Sequence, residues 1–143
     1  MEIKHIRNQN ELKDAFYIRM KVFVEEQKVP AKNELDQYEG VSEHVVVYKD
    51  NLPVATGRAR IVEDNAKLER ICVLREYRKC GLGKVIVKSL EEIAMEKGSR
   101  KFILGAQVQA KDFYEKLGYT QTSGQFMDEG IPHVQMSKEL CLC

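Results

Sequence analysis

Arg78-Lys79-Cys80-Gly81-Leu82-Gly83-Lys84 lies where one sequence period gives way to another. Before it, Lys67 to Val73 alternates as a strand does. After it, Leu82, Val85, Ile86, Leu90, Ile93 and Ala94 fall on one helical face, and Gly98 stops the run. A strand that hands over to a helix through two glycines is a candidate anion site. Gly81 and Gly83 let a backbone come close to a ligand. The helix start offers unpaired N–H groups and the positive end of the dipole. Arg78, Lys79 and Lys84 add charge, so the whole suits a diphosphate. Two common phosphate loops do not fit. A P-loop would need Gly where Arg78 stands and Ser or Thr where Val85 stands, and a dinucleotide fingerprint would need Gly in place of Ile86.

Upstream, Ile3 to Arg7 reads as a short strand. Asn8 or Asn10 can cap a helix with the apolar stripe Leu12, Phe16, Met20 and Phe23, which Pro30 ends. Ala31 to Ser42 is polar and acidic, a loop or a short helix. His44–Lys49, Pro53–Val62 and Lys67–Val73 form an antiparallel meander with turns at Asp50-Asn51 and Glu63-Asp64-Asn65. Downstream, Phe102 to Ala106 is apolar throughout, as in a strand buried on both faces. Ala110, Phe113, Tyr114 and Leu117 make a short helix closed by Gly118. Weaker strands follow near Thr120–Phe126 and Ile131–Ser137. This order implies an α+β fold with a mixed, mostly antiparallel sheet of six to seven strands and flanking helices. Because a helix joins Lys67–Val73 to Phe102–Gln107, those two strands should be parallel. Ligands favour the carboxyl ends of such strands, which puts the glycine loop and Gln107 at one end of the sheet.

The bulk properties narrow the class. The chain has 143 residues, 43% of them hydrophobic and 31% charged, with a net charge of +1. That fits a single domain over 1–140 with a short tail at 141–143. No basic run favours nucleic acid as a partner. No apolar run approaches the roughly 20 residues of a membrane span. The start has no signal-peptide pattern, so the expected location is cytoplasmic. The four cysteines do not form a disulfide framework. Cys141-Leu142-Cys143 lacks a second ligand pair, so the chain is expected to hold no metal.

Three segments in order resemble the GNAT N-acetyltransferases. Arg78-Lys79-Cys80-Gly81-Leu82-Gly83 matches their Arg/Gln-x-x-Gly-x-Gly/Ala signature between the fourth strand and third helix. Leu68-Glu69-Arg70-Ile71-Cys72-Val73 is similar to their fourth strand, and Phe113-Tyr114-Glu115-Lys116-Leu117-Gly118-Tyr119 to their Phe-Tyr-x-x-x-Gly-Phe/Tyr segment. Phe23-Val24-Glu25-Glu26-Gln27-Lys28-Val29-Pro30, Ala106-Gln107 and Gly130-Ile131-Pro132-His133 are similar to signatures of a small single-domain bacterial branch with YjcF-type and ElaA-type proteins.

The resemblance implies transfer of acetyl from acetyl-CoA to an amine by direct attack in a ternary complex. Cofactor contacts would come from Ile71, Cys72, Val73, the loop Arg78–Lys84, Gln107 and Phe113. The pantetheine would fill a gap between splayed fourth and fifth strands, with an oxyanion donor from a backbone N–H near Ile71. Tyr114 would be the general acid toward the departing thiolate, since a phenol and an alkyl thiol both titrate near roughly pH 10. It also fits the buried stripe of its helix. Gln107 is either a cofactor ligand or a solvent-facing strand end.

The general base is open among Glu26, Glu69, His44, His133 and Glu129, with Glu69 and His133 foremost. Glu26 and Arg70 are candidates for the acceptor site. Glu69 and Arg70 adjoin on one strand, so only one of them should face that site. Arg58 and Arg60 share a face and could hold an anionic acceptor or form a salt-bridged surface. Cys80 sits at a helix N-terminus beside Lys79, which favours a thiolate able to form a mixed disulfide with CoA; it could also merely fill space. Acceptors range over amino acids, polyamines, aminoglycosides and amino-sugar phosphates. A peptide or protein N-acetyltransferase and a non-catalytic CoA-binding regulator are the alternatives, and a homodimer is possible.

Overall fold

The computed structural model describes residues 1–140; Cys141-Leu142-Cys143 lies outside them. The elements are β1 (Glu2–His5), α1 (Gln9–Arg19), a π-helical segment (Met20–Glu26), α2 (Ala31–Glu34), β2 (Glu43–Lys49), β3 (Leu52–Val62), β4 (Asn65–Val73), α3 (Leu82–Glu96), β5 (Lys101–Gln107), α4 (Lys111–Lys116), β6 (Thr120–Gln121), β7 (Phe126–Asp128) and β8 (Ile131–Glu139). One sheet runs β1-β2-β3-β4-β5-β8-β6, and β7 also pairs with β8. Only β4 and β5 are parallel, as the α3 crossover requires. The sheet has eight strands rather than six or seven. The expected Thr120–Phe126 strand breaks in two where the Ser123 hydroxyl, not a strand carbonyl, accepts the Gln135 N–H.

Local chemistry explains the starts and turns. Asn8 caps α1 by accepting the Glu11 N–H at 2.8 Å. Asp50 and Asn51 both have positive φ, 52° and 66°, which suits a two-residue hairpin turn. Gly81 (φ 79°) and Gly98 (φ 91°) bound α3. Pro30 does not end the first helix, which closes at Glu26; it precedes α2 instead.

Two apolar clusters flank the sheet. On one side α3 and α4 cover Val45, Val47, Leu68, Phe102, Leu104 and Met136. There Gly57 admits α3, since a Cβ would stand 2.6 Å from Ile86 Cγ2. On the other side α1 and the π-helical segment pack Ala15, Ile18 and Val22 on Val46 and Cys72. This departs from the stripe Leu12–Phe16–Met20–Phe23, whose members are only half-buried. Arg19 joins the buried face because carboxylates surround it, and the wider π turn from Met20 breaks the 3.6-residue period. The strand β5 is not buried on both faces either. Phe102, Leu104 and Ala106 are buried, while Gly105 is exposed, because helices cover that strand on one side only.

Candidate active site

The parallel pairing of β4 with β5 covers only Asn65–Lys67 against Lys101–Ile103. Beyond it the strands diverge around a cleft of about 320 Å³. One wall is Leu68 to Val73, and the other includes Leu104, Gly105 and Gln107. A bulge turns β4 at this point. Arg58 pairs with Glu69 but Thr56 with Cys72, so Arg70 and Ile71 together stand opposite Gly57. Arg70 takes φ 57° to make the insertion.

At the carboxyl end of β4 the glycine loop turns into α3. Lys79 and Gly81 have φ 66° and 79°. Nothing lies within 4 Å of a Cβ built on Gly81, so its glycine serves the backbone conformation rather than space. Gly83 is under the ring of Phe113, whose Cζ would be 3.1 Å from an added Cβ. Lys79, Cys80 and Lys84 are exposed, and the Cys80 thiol stands 3.6 Å from the Arg78 carbonyl.

Arg78 is not the free cation its position suggests. Its Nε donates to the Val73 carbonyl at 2.9 Å, and both terminal nitrogens donate to Glu26 at 2.7 Å. That bidentate pair holds the Glu26 carboxyl below its ordinary pKa and raises that of Arg78. Glu26 therefore braces the loop, and it is not among the residues that line the cleft. The neighbouring Gln27 accepts a hydrogen bond from Gln107 Nε2 at 2.9 Å. Thus the Gln107 amide has a protein partner, and residues 26 and 27 tie the ends of β4 and β5 to the same segment.

Tyr114, on α4, lines the cleft and is 8% exposed. Its hydroxyl has no hydrogen-bond partner among the described residues, yet it is not among the sealed polar atoms, so it opens to the cleft. Burial pushes its pKa up. The Cys72 thiol is likewise raised by burial, which keeps it protonated at neutral pH.

The far end of the cleft is charged. The bulge puts Glu69 and Arg70 on the same face, against the expected alternation, and both line the cleft. Arg58, 1% exposed, donates to Asp36 at 2.9 and 2.8 Å and to Glu69 at 3.0 Å. Arg19 donates to Glu34 at 2.9 Å and to Glu39 at 2.9 and 2.7 Å. Arg70 pairs with Glu34 at 2.9 Å and Asp36 at 3.3 Å. Arg60 lies over the Tyr38 ring at 4.0 Å and contacts Glu69 at 3.4 Å. Arg58 and Arg60 are thus bound into ion pairs and do not await an anionic acceptor. Hydrogen bonds from Arg58 pull the Asp36 pKa down to about 2. Burial opposes the same shift in Glu39, but Arg19 prevails and its pKa also falls to about 2.

Of the expected bases, His44 lies outside the cleft, buried with Nε2 3.0 Å from the Glu39 carbonyl. His133 lines the cleft and is 9% exposed. Its Nδ1 stands 2.7 Å from the Ile131 carbonyl, so Nδ1 carries the proton and Nε2 the lone pair. Phe126 stacks on the ring at 5.9 Å. Glu129 lines the cleft and accepts from Asn33 at 3.2 Å.

The cleft therefore gathers Glu69, Arg70, Ile71, Cys72, Val73, Arg78, Gln107, Tyr114 and His133. Sequence reasoning missed Gln27, Glu34, Asp36 and Asp128. The acidic run 31–42 opposite two arginines was the available signal for Glu34 and Asp36. Among the described residues no His/Cys/Asp/Glu group could hold a metal ion, and no helix is long and apolar enough to cross a membrane.

The geometry agrees with comparisons to known proteins. A sequence model of the acetyltransferase (GNAT) domain matches residues 8–140. The uncharacterized N-acetyltransferase YjcF of Bacillus subtilis is 52% identical over 93% of this chain and 96% of its own. A crystal structure from Lactobacillus plantarum, assigned as an N-acetyltransferase, superposes with a TM-score of 0.90 at 30% identity over 98% of each chain. An aminoglycoside 6'-N-acetyltransferase complexed with coenzyme A shares the fold, with a TM-score of 0.79 at 18% identity over 100% of this chain and 99% of its own. With a slot between parallel strands, a glycine loop at its mouth and a family match over nearly its whole length, the chain belongs to the GNAT acetyltransferases and is an N-acetyltransferase of that type.

Proposed function

We propose that the protein moves the acetyl group of acetyl-CoA to a primary amine of a small cytoplasmic molecule by direct attack in a ternary complex. The observation that carries this reading is Tyr114, a side chain nine-tenths buried whose unpaired hydroxyl opens to the slot beside the glycine loop. The CoA diphosphate would rest on the N–H groups of residues 79–84 at the start of the 15-residue α3. Pantetheine would run along Ile71–Val73 as an added strand. A backbone N–H near Ile71 would face the developing oxyanion.

In the reaction the amine nitrogen bonds to the thioester carbon and the C–S bond breaks. Tyr114 gives its proton to the departing thiolate. The phenol is protonated at neutral pH, as a donor must be; burial raises its pKa above that of an alkyl thiol, so the proton passes only as the C–S bond breaks and charge develops on the sulfur. His133 Nε2 takes the proton from the attacking amine, and Glu69 is the second candidate for that role. The Asn33–Glu129 hydrogen bond spans the acceptor rim and favours a small acceptor over an extended peptide.

Two measurements test this. Calorimetry should show acetyl-CoA binding, and thiol release should appear on adding an amine from a panel of small molecules. Binding without release for every amine would reduce the protein to a CoA-binding regulator.

A further inference from the structure

We infer that the preferred acceptor carries a second positive charge, as a diamine or polyamine does, held by Asp128 and Glu129 while its other amine reacts beside His133. This rests on the acetyltransferase reading above and names its substrate class.

The charges around the acceptor end decide the sign. Arg19, Arg58, Arg60 and Arg70 are matched by Glu34, Asp36, Glu39 and Glu69, and these eight groups pair among themselves at 2.7 to 3.4 Å. The cations that line the cleft are Arg70 and Arg78, and both are engaged, by Glu34 and Asp36 and by Glu26. A phosphate or carboxylate on the acceptor would meet no free cation there.

Two carboxylates are left over. Asp128 lines the cleft with no hydrogen-bond or ion-pair partner among the described residues. Glu129 lines it too, and only its Oε2 is engaged, by the neutral Asn33 amide. The acceptor end thus carries two uncompensated negative charges at its rim.

A second, separate observation says that a ligand belongs beside them. His133 is 9% exposed, and its Nε2 is an unpaired polar atom open to the same cleft. Buried polar groups are normally satisfied, so this nitrogen awaits a partner from a bound molecule other than the thioester that Tyr114 serves. His133 follows Asp128 and Glu129 across one hairpin, with Met127 opposite Pro132 and Phe126 opposite His133. A linear diamine can therefore present one nitrogen to the imidazole and the other to the hairpin tip.

The test compares kcat/KM, read as thiol release from acetyl-CoA, for α,ω-diaminoalkanes, n-alkylamines of equal length and an amino-sugar phosphate. A diamine should exceed its matched monoamine by about three- to tenfold, since Asp128 and Glu129 are exposed and ion pairing at such a rim is screened but not abolished. The amino-sugar phosphate should be poorest. The diamine preference should shrink with added salt, and fall toward one in the Asp128→Asn/Glu129→Gln variant. Equal or better turnover of the monoamine or the phosphate overturns the inference, as does a preference that survives in the variant. Calorimetry of the same amines, with and without CoA, separates this from the catalytic reading. If no amine is acetylated but diamines still bind more tightly than monoamines, catalysis falls and the acceptor class stands. If diamines bind no more tightly, the acceptor class falls.

Discussion

On one side of the sheet, α3 buries Leu82, Ile86, Val87 and Leu90 against valines, alanines and Phe102. On the other, α1 and the 31–41 segment bury two whole arginines, Arg19 and Arg58, each 1% exposed. The first side is held by area removed from water and by close packing. The second joins a smaller apolar cluster to charge pairs whose desolvation offsets much of their attraction, so it supplies placement and a smaller share of stability. The strand β4 is shared between them. Leu68, Ile71 and Val73 belong to the apolar side, and Glu69 and Arg70 to the charged one. One strand with two unlike supports thus makes both the apolar and the charged part of the cleft wall.

The largest expected effect comes from breaking a pair on the charged side. Arg58→Met leaves Asp36 and Glu69 without their main partner and should cost about 3–5 kcal/mol in chemical denaturation. A loss under about 1 kcal/mol would show that the network tolerates vacancies, and the contrast between the sides would dissolve. On the apolar side, Gly57→Ala forces a Cβ to 2.6 Å from Ile86 and should cost about 1–3 kcal/mol by overpacking, with α3 displaced from β3. At the slot itself, Tyr114→Phe should lower kcat by about ten- to a hundredfold, or about 1.4–2.7 kcal/mol of barrier, with acetyl-CoA affinity kept. Unchanged turnover would return Tyr114 to a packing role.

The smallest effect is a pH dependence. Asp36 and Glu39 have folded pKa values of about 2, below their ordinary ones, so the stability they confer is whole above about pH 4.5. It should fade as pH falls toward 2. A urea midpoint that does not decline over that window, or declines equally in Asp36→Asn, would place the acid sensitivity elsewhere.

The apolar side was legible in the sequence because its signals are local. The α3 stripe, the Asp50-Asn51 turn and the Gly98 stop each lie within a few residues. The glycine loop was legible for the same reason, and it located the slot. The charged side was not, because its pairs join residues far apart: Arg58 with Asp36, 22 residues away, and Arg78 with Glu26, 52 away. No period connects such residues, so neither the partners of Arg58 nor the pairing of Glu26 with Arg78 could be read from the sequence. The bulge was hidden differently. It is a register shift between two strands, and a non-glycine residue, Arg70, takes the positive φ. Strict alternation therefore separated Glu69 from Arg70. The β5 strand misled by composition, since a continuous apolar run does not tell a strand covered on both faces from one that borders a cleft.

That one inserted residue gives β4 a change of phase. Up to Glu69 the odd positions face α1; past Arg70 the even ones do, as Cys72 shows against Ile71 and Val73. Deleting a residue there would not merely shorten a strand. It would invert the frame of everything downstream relative to everything upstream, and carry the donor wall and the acceptor wall out of step. Point changes at Glu69 or at the rim can vary without touching Ile71–Val73, but the phase cannot drift by a single residue. The bulge thus separates the charged part of the cleft wall from the apolar part, and one-residue insertions or deletions in β4 would change the register that this separation needs.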